Sequence, residues 1–404
     1  MSTLPAAADL VVRGAQVMTS EGAFSPARIE VTGGRITRVD RGHDTTHGET
    51  RPGGPVIVEA QDMWMIPGVV DCHTHLGWTT FLHDDDAHGH DDADGPGAPV
   101  AAQEAAWARR RAQVAPGLAA TVAAGVTRAR DAGGAEARLR DEVADGVLAG
   151  PRLTVAVEIL TAEPGEDADD LRRRVSDLAG RGADWIKLMA TGGVMAPAGS
   201  ELESAFTRDQ IVAAVDEARR RGVRVMVHAW GGPAITDAIE AGAASIEHGI
   251  FLTTEQAAAG AARGTVLVPT LAIYAEVAQM AERGELPPAA GERAARVVAA
   301  HPAAVRTAHE AGMAVALGSD FGTSAQHGRN LVEIDHLARA GLGPREALLA
   351  ATRNGARLLG TGSGLLEVGE VFDAVLLGAD PSDTSIFARP DVVVSVFQGG
   401  RAVR

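Results

Sequence analysis

The sequence predicts an α/β protein: a (β/α)8 TIM barrel with a small β-sandwich domain built from both termini. Three observations carry this. The middle of the 404-residue chain alternates short apolar, strand-like runs with Ala- and Arg-rich helical patterns. Eight such units close within about 290 residues, which suits a barrel better than an open sheet. Both ends consist instead of short strands separated by Gly-rich turns, too few at either end for a stable sheet of their own. The expected domains are residues 1–64 with 364–404, and the barrel 65–363.

The N-terminal strands are Asp9–Val12, Ala27–Val31, Arg35–Val39 and Val56–Glu59, with turns such as Thr32-Gly33-Gly34. The barrel strands are Met65–Asp71, Val126–Arg130, Arg152–Val157, Trp185–Met189, Arg224–Val227, Ala244–Glu247, Val266–Pro269 and Met313–Leu317. Helical patterns lie between them, among them Gln103–Ala124, Leu171–Arg181, Arg208–Arg221 and Gly291–Glu310. The chain returns to the small domain through Ala374–Leu377, Val392–Phe397 and Arg401–Val403, around Asp380-Pro381 and Gly399-Gly400.

Composition excludes several function classes. Hydrophobic residues make up 46% of the chain, enough for a large core. The net charge of −16 offers no basic stripe to neutralise phosphates, so no nucleic-acid partner is expected. Cys72 is the single cysteine, which rules out an intrachain disulfide framework and favours a reducing, cytoplasmic location. The first ten residues lack a signal-peptide layout, and no apolar run reaches membrane-spanning length. A small-molecule substrate and a possible homo-oligomer are the expected partners.

Barrels of this kind place their chemistry at the C-terminal ends of the strands. His73 and His75 end the first strand, and side chains at i and i+2 share a face, so two imidazoles can grip one divalent cation. Further strands end in or carry Lys187, His228, His248 and Asp320. A lone strand-end histidine is more often structural, but His228 and His248 on successive strands beside a His-x-His point to metal. Asp320 can ligate a cation and accept a proton from its bound water, or merely cap the next helix. Lys187 shares a strand face with Trp185 and Met189. A buried ammonium there needs a partner such as an aspartate, whereas a neutral amine can react with CO2 to give a carbamate whose two oxygens bridge two cations.

These residues resemble the motifs of the amidohydrolase superfamily, specifically its binuclear carboxylated-lysine branch and the group of imidazolonepropionase-like proteins and metal-dependent prolidases. Pro67-Gly68 before Asp71-Cys72-His73-Thr74-His75 is similar to the family's first motif, and Ile186-Lys187-Leu188-Met189-Ala190-Thr191-Gly192-Gly193-Val194 to its carboxylated-lysine strand. Ser245-Ile246-Glu247-His248-Gly249, Pro269-Thr270-Leu271, His327-Gly328-Arg329-Asn330 and Val371-Phe372-Asp373-Ala374-Val375-Leu376-Leu377 extend the resemblance over nearly the whole chain. It implies His73, His75, carboxylated Lys187 and Asp320 on one metal, and Lys187, His228 and His248 on the other. The implied cofactors are two divalent ions, zinc first, with manganese or cobalt able to take the same ligands, and CO2 as the modification of Lys187. The implied reaction is attack by a bridging hydroxide on the amide of a dipeptide, N-acyl amino acid or cyclic amide, with Asp320 passing the proton to the leaving amine. The same site can serve a lactonase or phosphotriesterase, and a barrel that had lost its metals would be a non-enzymatic scaffold. A deaminase on such a barrel typically works without the bridging lysine.

The group's His-Ala-His-Gly on the fifth strand is here His228-Ala229-Trp230-Gly231, which puts the usual dipeptide specificity in question. Tyr274, the only tyrosine, follows the seventh strand and is a candidate catalytic residue beside Asp320 and His248, as donor to a substrate carbonyl or oxyanion; packing is the alternative. Arg329 can bind a substrate carboxylate or form a surface ion pair. His301, His309 and His336 fall in helical stretches and are expected to face solvent. The acidic, histidine-rich stretch His83–Asp94 is expected at the barrel mouth, either a solvated loop or an accessory metal- or cation-binding lid, and as a lid it would disfavour polyanions and attract a cationic group.

Overall fold

The computed structural model describes residues 9–42, 54–80, 99–194, 196 and 199–404, so the 83–94 stretch lies outside the described residues. The strands are β1 (Leu10–Met18), β2 (Phe24–Thr32), β3 (Arg35–Arg41), β4 (Val56–Glu59), β5 (Trp64–Pro67), β6 (Val69–Thr74), β7 (Val126–Asp131) and β8 (Arg152–Val155). They continue with β9 (Ile159–Leu160), β10 (Trp185–Met189), β11 (Arg224–Ala229), β12 (Ser245–His248), β13 (Val266–Val268), β14 (Ala374–Leu377), β15 (Val393–Gln398) and β16 (Arg401–Ala402).

Strands from both ends of the chain pair into one eight-stranded sheet, ordered β16-β15-β14-β5-β1-β2-β3, with β4 beside β1. The join is β14 antiparallel to β5, Ala374 opposite Pro67, while β5 runs parallel to β1. Alternation drives it: Ala27, Ile29 and Val31 of β2 point into a core shared with Phe372 and Phe397, whose rings lie 5.3 Å apart.

The middle of the chain forms a hydrogen-bonded cycle of parallel strands. β6, β7 and β8 pair in order, and β9 to β13 pair in order. After β8 the chain turns at Val157 (φ 67°) and resumes as β9, and Asp184 N donates to Val155 O at 2.8 Å, joining β8 to the start of β10. On the other side, Ala316 N donates to Leu267 O at 2.9 Å and Cys72 N to Leu317 O at 2.8 Å, so residues 313–320 link β13 back to β6. Strands buried on both faces read as near-continuous apolar runs, and β11 shows why. Val225 and Val227 pack outward with the helices, whereas Met226 faces inward with Val70, Cys72, Trp185 and Val268. Capping boxes at Asp167, Thr207 and Thr253 start three of the outer helices. Among the described residues no helix is long and apolar enough to cross a membrane.

One expected strand, Met65–Asp71, is two. Trp64–Pro67 belongs to the small sheet and Val69–Thr74 to the cycle, with Gly68 between them. The apolar run is continuous because both halves are buried, which hid the break from a reading by hydrophobicity. Gly68 N donates to Asp373 O at 2.8 Å, and a Cβ on Gly68 would fall 2.2 Å from Thr127 Oγ1. Gly68→Ala should therefore lower stability by about 1–3 kcal/mol, the cost of overpacking. Urea unfolding measures this, and adding Thr127→Ala should recover most of the loss.

Candidate metal centre

The cycle delivers the six sequence-predicted ligands to one place, the C-terminal ends of its strands. His73 and His75 come from β6, Lys187 from β10, His228 from β11, His248 from β12, and Asp320 from the end of 313–320. Asp320 Oδ1 lies 3.2 Å from His75 Nε2 and 3.4 Å from His73 Nε2. One donor atom from each of these three falls within 4.8 Å of the others. Lys187 Nζ is 3.1 Å from His73 Nε2. The His248 ring centroid is 5.2 Å from that of His73 and 4.5 Å from that of His228.

Hydrogen bonds on the far side of each ring turn the near side toward the centre. His73 Nδ1 meets Glu247 Oε2 at 2.6 Å, His75 Nδ1 the Gly133 carbonyl at 2.8 Å, and His248 Nδ1 Thr270 Oγ1 at 2.7 Å. A carboxylate and a carbonyl only accept, so His73 and His75 donate from Nδ1 and turn Nε2 toward the centre. Burial and the Lys187 charge push His73 down to about 4 and His228 to about 3, and burial holds His248 well below its usual value. His228 Nε2 is buried without a hydrogen-bond partner among the described residues. Burial alone would raise the Asp320 carboxyl, but His73 and His75 hold it at about 2. His73 Nε2 and His75 Nε2 thus converge on the Asp320 carboxylate, an arrangement that a cation between them would complete. The donor set fits divalent metal.

Lys187 is 2% exposed, and burial lowers its amine to about 8 against the pull of Glu247 and Asp320. Its hydrogen-bond contact is His73, and among the described residues it makes no ion pair. The buried Lys–Asp pair is not formed.

Several supporting residues escaped the sequence reading. Glu247 on β12 takes Arg130 Nη2 at 2.9 Å, while Arg130 Nε donates to Cys72 O at 2.5 Å and its guanidinium stacks 4.4 Å from the Trp185 ring centroid. Asp71 accepts from Ser319 N at 3.0 Å and Asn330 Nδ2 at 2.9 Å, clasping β6 to the segment that carries Asp320. Their signal was present: Asp71, Arg130 and Glu247 are charges inside otherwise apolar strands, which must be paired or functional.

Tyr274 sits beside the centre, its ring edge-on to His248 at 5.6 Å, and its hydroxyl accepts from Trp230 Nε1 at 2.9 Å. Burial, with the Asp320 charge, raises its phenol well above the usual value, so the proton stays on. Arg329 forms the surface ion pair, with Glu276 at 2.8 Å. His301 does not face solvent. It is 1% exposed and its Nε2 donates to the His248 carbonyl at 3.0 Å. The helix Pro288–Glu310 presents it on the same apolar stripe as Val297 and Val305, a stripe the histidine interrupts in sequence. His309 is exposed and His336 half-buried.

Residues 64–403 match the amidohydrolase family. An uncharacterized protein of Mycobacterium tuberculosis is 32% identical over 57% of this chain, which spans 61% of that protein's length. The ochratoxinase of Aspergillus niger is 28% identical over 83% of this chain and 75% of its own. Among solved structures, a prolidase complexed with N-methylphosphonate-L-proline superposes with a TM-score of 0.84 at 26% identity, over 98% of this chain and 99% of that one. The family match covers the small sheet's return strands as well as every strand that carries a candidate ligand, and on that extent this chain belongs to the amidohydrolase family.

Proposed function

We propose that this protein is a binuclear metal-dependent hydrolase of an amide bond, acting on a dipeptide, N-acyl amino acid or cyclic amide from the mouth of a (β/α)8 barrel flanked by a β-sandwich. The observation that carries this reading is the convergence of His73 Nε2 and His75 Nε2 on Asp320 Oδ1, at 3.4 and 3.2 Å. His73, His75 and Asp320 would hold one divalent ion and His228 and His248 the other, with Lys187 between them as a carbamate. A buried amine with no carboxylate partner supports that modification, because only a neutral amine takes up CO2. When bound, the pair of ions, zinc by ligand preference, supplies an acidified water and polarises the scissile carbonyl.

The chain's own residues do the rest. Glu247 and Thr270 fix the His73 and His248 rings, so the ligands need no reorganisation. Asp320 is the one ligand with a fifth of its side chain exposed, which lets it take a proton on the inside and release it to a leaving amine at the mouth. Tyr274 accepts from Trp230 and keeps its own proton to donate to the substrate carbonyl oxygen.

Three outcomes are expected. Protein purified without chelator should carry about two divalent ions per chain by elemental analysis, and removing them with a strong chelator should abolish amide hydrolysis; a metal-free, fully active protein rejects the proposal. Lys187→Ala should lose more than about a hundredfold in turnover, beyond the effect of an outer-shell change, and short carboxylic acids should restore part of it; near-normal turnover removes the carbamate from the mechanism. Asp320→Asn should retain most of its metal while turnover falls about a hundred- to ten-thousandfold, and a variant turning over at the normal rate would mean that another group carries the proton.

A further inference from the structure

Trp78 lies flat on a proposed ligand. Its indole stacks on the His75 imidazole with ring centroids 3.7 Å apart and planes 6° from parallel. The chain makes this contact locally. His75-Leu76-Gly77-Trp78 is a turn closed by Trp78 N donating to the His75 carbonyl at 3.0 Å, which folds the indole back over the ring three residues earlier. Gly77 lets the turn press on the loop after β7, since a Cβ there would fall 2.2 Å from the Gly134 backbone. Asp131, at the end of β7, ties the two together. Its Oδ2 accepts from Gly77 N at 3.1 Å, and its Oδ1 from Gly133 N and Ala135 N, each at 3.0 Å.

Glycines on two other segments make room for the indole. A Cβ on Gly134 would fall 2.4 Å from Trp78 Nε1, and one on Gly322 2.9 Å from Trp78 Cε3. Gly134 follows Gly133, whose carbonyl takes His75 Nδ1, and Gly322 lies two residues after Asp320. The indole is thus wedged where the loops that carry or orient His75 and Asp320 meet. What it adds is rotational. The torsion that turns an imidazole about its own axis is soft, and the hydrogen bond at Nδ1 fixes one point of the ring rather than its plane. A cation takes an imidazole nitrogen in the ring plane, so the plane decides whether His75 Nε2, 3.2 Å from Asp320 Oδ1, can share an ion with that carboxylate. Other candidate ligands are set by different contacts, His73 by Glu247 and His248 by Thr270.

We propose that Trp78 is a positioning residue: by holding the plane of the His75 ring it sets the metal affinity of the position formed by His73, His75 and Asp320, and leaves that of His228 and His248 unchanged. The inference rests on the reading of this cluster as a metal site. Zinc titration of metal-free protein against a chromophoric chelator reads both affinities without turnover. The wild type should bind about two ions. Trp78→Ala should weaken one of them about ten- to a hundredfold, the scale of an outer-shell change, and leave the other within about threefold. Trp78→Phe restores a flat ring and should stay within about threefold of the wild type at both. Trp78→Leu, apolar but not planar, should behave as Ala does; the Phe and Leu variants carry the test if Ala does not fold.

Repeating the titration in a His228→Ala background, which leaves the His73, His75 and Asp320 position intact, assigns the weakened ion, and the same loss should persist there. Unchanged affinities in Trp78→Leu, loss of both ions together, or a loss that Trp78→Phe does not rescue overturns the proposal. NMR of zinc-free protein with nitrogen-labelled histidine separates this outcome from failure of the metal reading. The His75 ring protons should be displaced upfield by the indole, and its Nδ1 proton protected from exchange, in the wild type and Trp78→Phe. Both signatures should be lost in Trp78→Leu. If the wild type takes up no zinc but the ring follows this pattern, the metal reading fails and the positioning of His75 by Trp78 stands. A His75 ring unmoved by Trp78→Leu overturns it.

Discussion

Glu247 is fully buried and holds a negative charge between Arg130, also fully buried, and the His73 ring. The centre depends on this arrangement. Desolvating two ions is so costly that it persists only when each finds several partners, and breaking such a pair typically costs about 3–5 kcal/mol. Here the partners are also the positioning device. Arg130 grips the Cys72 carbonyl, one residue before His73, while Glu247 accepts from His73 Nδ1, so two neighbours fix both backbone and ring of His73. Burial opposes ionisation of Glu247, but Arg130 and His73 win and hold it at about 2, so the clamp stays charged at neutral pH.

Around that clamp the strand ends are bent into conformations that non-glycine residues avoid. His248, Thr270 and Asp320 all have positive φ, at 71°, 59° and 56°, each costing of order 1–3 kcal/mol. Each is held by contacts that have no other evident purpose. Asp71, Ser319 and Asn330 knit the turn at Asp320 to β6. Buried Glu333 accepts Leu271 N at 2.8 Å and Ala272 N at 2.7 Å, pinning the chain after Thr270, whose hydroxyl in turn orients His248. The bent turns sit where His248, Thr270 and Asp320 meet the centre, and buried polar groups hold the bends.

What was legible in the sequence followed from spacing and from residue type. His73 and His75 two apart on a strand, and Lys187, His228, His248 and Asp320 at the ends of others, were sufficient to anticipate which side chains the fold brings together, because strand geometry fixes which way such residues point. The small sheet was legible as strands lacking partners at either end. Partnership across long separations was not. Nothing local says that Glu247 meets His73, or that Asn330 meets Asp71, since each contact is made by the fold and not by neighbours in the chain. His301 was misread for the same reason: an imidazole in an Ala-rich helix looks solvated until the helix packs over His248. Gly68 divides two strands within one apolar run, and only the clash awaiting a side chain there reveals the break.

The pairing of β14 with β5 has a consequence for how the chain reaches this state. β5 is made early on the ribosome, and its partner strand emerges about 300 residues later. Until then the apolar edge of β5 has no neighbour on that side, while Gly68 ties it directly to the strand bearing His73 and His75. Contacts of such long sequence separation form slowly. The β14 side of the small sheet is therefore made late, and it closes on β5, which Gly68 joins to the strand bearing His73 and His75.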